Sequence, residues 1–393
     1  MRIAFVTNVY FPASPYSAVG AYISDTAREL VRRGHEVFVF TTAFIDPFVY
    51  EDQGVVVVPV PVRKTPGWIP GIIRMESALM HSMRKIRGKR GWDIIEVVSD
   101  SPFGASLGLL PPAEGKLVVR VHQHRAPASL PDCQRILYDW LQHRKCLSAD
   151  LCLANSRAAG CKWRKAHKLN GHNPVHYAWY GLDLSKFYPV ASPKVNYRKK
   201  GEKIVFFSGR LTKGKGFFNL FRAFREIVTV KVPEAMFVFA GPNEEYLDLF
   251  EAEIRPYLSD KIVYAGCLNH DNLPDYYSQA DFFVAPFLTP EAFGLVFIEA
   301  IACGCPVVAT NAGSTPEIFK ESKCACLFDD TSPEGIAKVL IELLKDEKRL
   351  SEMKRHSRSH AERHFALSVA VDRQERIYRQ LLEGNLSPKT ACC

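Results

Sequence analysis

The stretch "PEAFGLVFIEAIACGCPVVAT", residues 290–310, decides the fold. From Phe293 to Ala302 it is apolar except for Glu299, and Glu291 stands just before it. LVFIEAIACG has the composition of a buried helix, and PVVAT is a short β-branched strand. The strand pattern DFFVAPF precedes them, so a strand, a turn, a buried helix and a strand follow one another. That succession is the repeating unit of a parallel sheet covered on both faces.

Working outward, the unit recurs. IVFFSGR, MFVFAG and KIVYAG precede it as strands, and a helical region runs from about 333 to 384. RIAFVTN, HEVFVFTT, VVVVPV, DIIEVV, KLVVRVH and LCLANS are strands of an earlier set, most with helical stretches between. In AYISDTARELVRR, Ile23, Ala27, Leu30 and Val31 share one face, and Gly34 stops the helix. Between the sets, PVASPKVNYRKKGEK (189–203) is polar, basic and Pro-containing, a linker pattern. The pattern predicts two Rossmann-like α/β domains with parallel sheets, over 1–190 and 203–364, with a final helix over 365–385. Such sheets bind ligands at the carboxyl ends of their strands, and two of them predict a cleft.

With 393 residues, 47% hydrophobic and 24% charged, the chain has room for two cores. The net charge of +9 fits phosphorylated metabolites or anionic lipid, and no motif points to nucleic acid. Eleven cysteines form no CxxC pair and no zinc spacing, as expected of buried thiols in a reducing cytoplasm. The N-terminus runs straight into a strand pattern, without the apolar core of a signal peptide.

Candidate site residues cluster just after strands. RLTKGKG places Arg210 and Lys215 on a Gly-rich loop that opens a helix at Phe217, which suits a phosphate. The amides of Phe293, Gly294 and Leu295 open the helix of the first-quoted stretch, and Gly294 lets an anion come close. Glu299 lies five residues beyond Gly294. At 1.5 Å per residue that is roughly 7–8 Å, about the reach from a phosphate to the ribose of one nucleotide. Burial also demands a partner for Glu299: a basic side chain or a ligand's hydroxyls. In the earlier half, KLVVRVHQH puts His122 at a strand end; His124 is close, but no third ligand completes a metal site. No G-x-G-x-x-G follows the first strand, which argues against a nicotinamide enzyme.

The residues resemble a known family. EAFGLVFIE resembles the E-x7-E motif of the retaining glycosyltransferases of family 4, which have the GT-B fold. SAVGAYISDTARELVRRGHEV, VVRVHQH, YGLDLSKFYPV, SGRLTKGKG and AIACGCPVVATNAGSTPEI resemble, in order, the other segments of that family. The resemblance implies that Arg210 and Lys215 neutralise a donor diphosphate and that Glu299 binds ribose. Glu291 would hold hydroxyls of the transferred sugar, and His122 would face that sugar. The amides of Phe293 to Leu295 would hold sugar and phosphate oxygens, and the last helix would return to the first domain. Where the family often has paired glycines in its first loop, this chain aligns Ser17-Ala18, with Gly20 matching the next frequent glycine; the resemblance implies that Ala18 and Gly20 would be substrate-binding positions.

The implied reaction moves a sugar from a nucleotide-diphosphate sugar, UDP- or GDP-linked, to an acceptor hydroxyl. It retains configuration by front-face attack and needs neither metal nor cofactor. A sugar-nucleotide epimerase or hydrolase on the same fold is the alternative enzyme. A non-catalytic nucleotide-sugar-binding partner is the alternative binder, and would be expected to have lost Glu291, Arg210 or Lys215. The acceptor is a glycan, lipid-linked or soluble, or a small molecule. Between Arg63 and Arg90, eight cations (Arg63, Lys64, Arg74, Arg84, Lys85, Arg87, Lys89 and Arg90) meet one acid, Glu76. Ile72, Met75, Leu79, Met83 and Ile86 follow helical spacing toward a core, leaving Trp68, Ile69, Ile73 and Met80 beside the charges. A solvated face, a phosphorylated soluble acceptor and an anionic membrane surface all fit that pattern. The expected location is cytoplasmic, extending to the inner face of the membrane.

Overall fold

The computed structural model describes residues 1–14, 17–42, 45–61, 68–98, 103–109, 114–121, 131–166, 175–198 and 201–386. The chain folds into two units. One comprises Met1–Gly181 with the chain from Leu367 onward, the other Leu182–Ala366.

The first unit is built on eight strands: β1 (Arg2–Thr7), β2 (Glu36–Thr41), β3 (Tyr50–Asp52), β4 (Val55–Pro59), β5 (Ile94–Val98), β6 (Lys116–Val121), β7 (Leu151–Ala154) and β8 (Val175–Tyr177). Their order is β3-β4-β2-β1-β5-β6-β7-β8. All neighbours pair in parallel except β3, which lies antiparallel to β4 at the edge. Gln53 and Gly54 turn that hairpin with φ of 50° and 85°, the positive angles a two-residue turn needs. The polar trio Tyr50-Glu51-Asp52 carries no buried-strand pattern, so the sequence reading of a parallel sheet passed over it. Helices α1 (Ala18–Arg32), α2 (Trp68–Arg87), α3 (Asp132–Leu147) and α4 (Arg157–Ala166) complete the connections described. Ala4, Val6, Val97 and Val119 of the strands pack with Leu79 and Met83 of α2 in one core. Met75, Met80 and Ile86 pack partly against it. Met80 thus touches the core and, with Arg84, also lines a surface groove.

The second unit carries β9 (Lys203–Ser208), β10 (Ala235–Ala240), β11 (Ile262–Tyr264), β12 (Phe282–Ala285), β13 (Val307–Thr310) and β14 (Ala325–Phe328). They form an all-parallel sheet in the order β11-β10-β9-β12-β13-β14. Its helices are α5 (Phe217–Ala223), α6 (Thr229–Lys231), α7 (Leu247–Glu253), α8 (Leu273–Gln279), α9 (Leu295–Ala302), α10 (Thr315–Ile318), α11 (Pro333–Lys345) and α12 (Glu347–Phe365). Residues 182–190, which the sequence placed with the first domain, pack here. So does the segment read as a linker. The amides of Val190, Lys194 and Tyr197 donate to Ser278 Oγ, Asp275 Oδ1 and Gln279 Oε1, each at 2.9 Å. Polar side chains of α8 thus supply the partners that an irregular backbone lacks.

The last described helix, α13 (Leu367–Leu382), packs on α1 in the first unit. Tyr378 Oη and Gln374 Nε2 donate to the buried Glu96 of β5, and Arg120 of β6 pairs with the same carboxylate. Arg33, past the end of α1, bridges Asp372 and Glu375 of α13 at 2.5 and 3.2 Å.

Candidate functional site

The strand order of the second unit reverses between β9 and β12. Loops leaving neighbouring strands part at such a point, and a crevice opens at the strands' carboxyl ends. The loops after β9, β12 and β13 meet there and hold one another.

The loop after β9 carries Arg210 and Lys215. Thr212 Oγ1 accepts from the Lys215 amide at 3.3 Å, closing a 3₁₀ turn over Lys213–Lys215. Gly216 ends the turn with φ of +66°, and a Cβ there would lie 1.9 Å from the Pro286 carbonyl oxygen. Only glycine permits that approach to the end of β12. The Thr289 amide donates to the Gly214 carbonyl at 2.9 Å, so the two loops are sewn together. As a result Lys215 Nζ meets Glu291 Oε1 and lies 4.2 Å from the centre of the Phe287 ring. Arg210 is held more loosely, two-thirds exposed and 3.9 Å from Glu245.

The loop after β13 holds Glu291 from the other side. The amide of the buried Ser314 donates to the Glu291 carbonyl at 3.1 Å, and its hydroxyl donates to the Phe293 carbonyl at 2.9 Å. Gly313 has φ of +63°, with the Glu291 carbonyl oxygen 2.5 Å from where a Cβ would be. Residues 291–294 are therefore fixed on two sides before α9 starts. Gly294, with φ of +79°, is the N-cap of α9 and offers no side-chain cap. The Gly294 and Leu295 amides make no hydrogen bond to a described residue, which leaves donors at the positive end of the helix.

Glu299 sits on the second turn of α9, 1% exposed. Burial requires partners, and the described ones are a histidine and a tyrosine rather than a lysine or arginine. His270 Nε2, in the turn between β11 and α8, lies 3.1 Å from Oε1, and Tyr277 Oη of α8 lies 3.3 Å from Oε2. Burial, with the Glu299 charge beside it, pushes the Tyr277 phenol far above its usual value, so it stays a proton donor.

The second unit thus brings Arg210, Lys215, Glu291, Phe293, Gly294, Leu295 and Glu299 to one end of its sheet. Cations and free amides stand beside two carboxylates of different surroundings. One is paired to a lysine near the surface, the other buried among neutral donors or an imidazolium. The set suits a ligand with a phosphate at one end and hydroxyls at two others.

Two family models match the chain: "Glycosyl transferase 4-like domain" over residues 17–162 and "Glycosyl transferases group 1" over 191–360. The chain belongs to the family 4-like glycosyltransferases. A Bacillus subtilis protein named as a glycosyltransferase is 28% identical over 219 residues, 51% of this chain and 53% of its own. The chain thus spans about half the length of that relative. A GDP-mannose-dependent alpha-(1-6)-phosphatidylinositol monomannoside mannosyltransferase of Mycolicibacterium smegmatis is 25% identical over 380 residues, 92% of this chain and 93% of its own. Among solved structures, sucrose-phosphate synthase of Thermosynechococcus elongatus matches with a TM-score of 0.79 at 19% identity, over 98% of this chain and 100% of its own. That likeness shows the GT-B fold of two parallel-sheet domains.

In this glycosyltransferase the first unit carries the remaining sequence candidates. Its strand order reverses between β1 and β5, and the segment after β1 leads into α1. Ser17 caps α1, accepting from the Gly20 amide at 3.0 Å. The Gly20 donor is therefore engaged by the chain itself, and Ala18 stands at the first position of the helix. His122 and His124 lie outside the described residues.

Sequence reasoning missed His270, Tyr277, Thr289 and Ser314, which hold the site in shape. The signal for two of them was the buried acid: Glu299 required donors, and His270 falls just past a strand end. Nothing in the one-dimensional pattern joins positions 270 and 299.

Proposed function

We propose that this chain transfers a sugar from a nucleotide-diphosphate sugar, UDP- or GDP-linked, to an acceptor hydroxyl, with retained anomeric configuration and without a metal ion. The observation that carries the reading is the Lys215–Glu291 pair just ahead of α9, the helix whose second turn carries the buried Glu299. The bond from the anomeric carbon to the leaving phosphate oxygen breaks, and negative charge grows on the diphosphate. Lys215, Arg210 and the amides at the start of α9 stabilise that charge, the task a metal ion performs elsewhere. Glu291 accepts hydroxyls of the sugar and is itself oriented by Lys215. The acceptor oxygen bonds to the anomeric carbon on the face the diphosphate leaves, and its proton passes to the departing phosphate oxygen. Support for the donor class comes from the mycobacterial relative, GDP-mannose-dependent by name.

The test is incubation with UDP-, GDP- and ADP-sugars, following release of the nucleoside diphosphate with and without EDTA. NMR then reads the anomeric configuration of the product. Release from one donor class, indifferent to EDTA and with configuration retained, is expected. Inversion, or loss of activity in EDTA, contradicts the reading.

For the acceptor, the proposal is a lipid-borne hydroxyl at an anionic membrane surface. On α2, Ile69 and Ile73 are 49% and 60% exposed, and Arg74, Arg84 and Lys85 are exposed with them. On α3, Ile136 and Trp140 are 71% and 55% exposed. The two helices line a groove of about 560 Å³ that includes Ile72, Ile73, Met80, Leu141, Ser77 and Arg84. Arg63 and Lys64 lie outside the described residues. No described helix is long and apolar enough to cross a membrane, so the contact would be peripheral. Each cation near an anionic surface contributes about 1 kcal/mol. Sedimentation with phosphatidylserine-containing vesicles at low salt should carry the protein down, and neutralising Arg84, Lys85, Arg87, Lys89 and Arg90 together should leave it in solution. No sedimentation at low salt contradicts the membrane reading and favours a soluble phosphorylated acceptor.

A further inference from the structure

We propose that His270 is a positioning residue which, through Glu299, sets the enzyme's preference for the ribose diol of its donor nucleotide. The inference rests on the reading of Glu299 as the ribose ligand.

The last torsion of a glutamate side chain is soft, with broad wells, so an unsupported carboxylate does not keep one plane. Two hydroxyls on adjacent ring carbons require that plane to be fixed. Glu299 receives one donor on each oxygen: His270 Nε2 at 3.1 Å on Oε1 and Tyr277 Oη at 3.3 Å on Oε2. An ionised carboxylate offers about four lone-pair sites. With two taken, two remain, one on each oxygen, matching the two hydroxyls of a ribose. Among the described residues, no lysine or arginine forms an ion pair with Glu299. A fork-shaped guanidinium would occupy both oxygens and leave little for a ligand.

His270 is itself held. Its ring meets the ring of the buried Phe187 edge-on, centroids 4.8 Å apart. Arg358 of α12 fixes that phenylalanine by donating to its carbonyl at 2.6 Å. His270 also opens the 3₁₀ turn His270–Asn272 that leads into α8, the helix bearing Tyr277. One short segment therefore supplies both donors, one to each carboxylate oxygen.

The experiment is calorimetric titration of UDP and GDP, each beside its 2′,3′-dideoxy counterpart. The wild type, Glu299→Gln, His270→Ala and His270→Gln are compared. Glutamine's amide nitrogen reaches about as far as Nε2 and can replace its donor. The wild type should favour the ribonucleotide, and Glu299→Gln should lose that preference. His270→Ala should lose roughly tenfold of it, the scale of one hydrogen bond to a charged group, with affinity for the dideoxynucleotide unchanged. His270→Gln should recover most of the loss. If Glu299→Gln loses the preference and His270→Ala keeps it, the inference falls while the role of Glu299 stands. If wild type and Glu299→Gln discriminate equally, the ribose reading falls and takes the inference with it. A His270→Ala protein that loses both nucleotides in equal measure has lost shape, not orientation, and that also overturns the inference.

Discussion

Two cations of the site differ in how they are held, and their variants should differ accordingly. Lys215 is fixed between Glu291 and the face of Phe287, whereas Arg210 is largely in solvent. Charge grows on the diphosphate as the bond to the sugar breaks, so a cation placed for the departing group acts more on the transition state than on the bound donor. Lys215→Ala should lower kcat by roughly a hundredfold, the scale of one removed charge-stabilising donor, with a smaller change in KM. Removing Lys215 also frees Glu291 to wander, so Glu291→Gln in that background should cost little more. Arg210→Ala should show the same sign with a smaller loss. Steady-state kinetics with the donor varied reads all three. An effect of Lys215→Ala confined to KM would contradict the assignment.

At the scale of elements, the site depends on backbones approaching more closely than a side chain allows. Gly216→Ala places a methyl 1.9 Å from the Pro286 carbonyl oxygen in a left-handed conformation. The loop bearing Lys215 must then lift off β12. Gly266→Ala is the control, because Gly266 has φ of +77° and nothing within 4 Å of the new methyl. That control should cost only the backbone term, about 1 kcal/mol. Gly216→Ala should cost clearly more and should also weaken nucleotide binding, which thermal denaturation and titration together detect. Equal losses in both variants would mean that the contact with Pro286 matters little.

The elements themselves were largely legible. Fully buried strands such as VVAT and FFVA read as continuous apolar runs because both faces of their sheets are covered. Arg210, Lys215 and Glu291 stood out because they follow such strands, where parallel sheets bind ligands, and Glu299 because it is the one acid in an apolar helix. Three things were not legible. The β3 edge is polar and three residues long, too short for a periodicity. The 189–198 segment looks like a free linker because its partners are side chains of residues 275–279, more than 80 positions on. And Glu96 and Arg120 sit inside apolar strands, where only the fold shows that they pair.

Over the whole molecule, the C-terminal helix returns to the first unit and is held by charges that titrate in acid. Partial burial works to raise the Glu375 carboxyl, but hydrogen bonds from Arg379, Arg33 and His35 outweigh it and hold it at about 2, against an ordinary 4.5. A depressed carboxylate contributes stability above its unfolded-state pKa and loses it as pH falls through the folded value. The docking of α13 should therefore weaken as pH falls from about 4.5 to about 2. Glu375→Gln should remove that part of the acid dependence and be less stable at neutral pH. Denaturant unfolding across that range tests it, and an unchanged acid limb in the variant would contradict it.

In the proposed function, the loops after β9, β12 and β13 bind a nucleoside diphosphate carrying a sugar. The most direct test is calorimetric titration of nucleoside, monophosphate and diphosphate of uridine and guanosine into the wild type and into an Arg210→Ala, Lys215→Ala double variant. With one of the two bases, affinity should climb from nucleoside to diphosphate, and the last step of that climb should vanish in the double variant. Binding by neither base series, or a double variant that retains the full preference for the diphosphate, would contradict a diphosphate site in these loops.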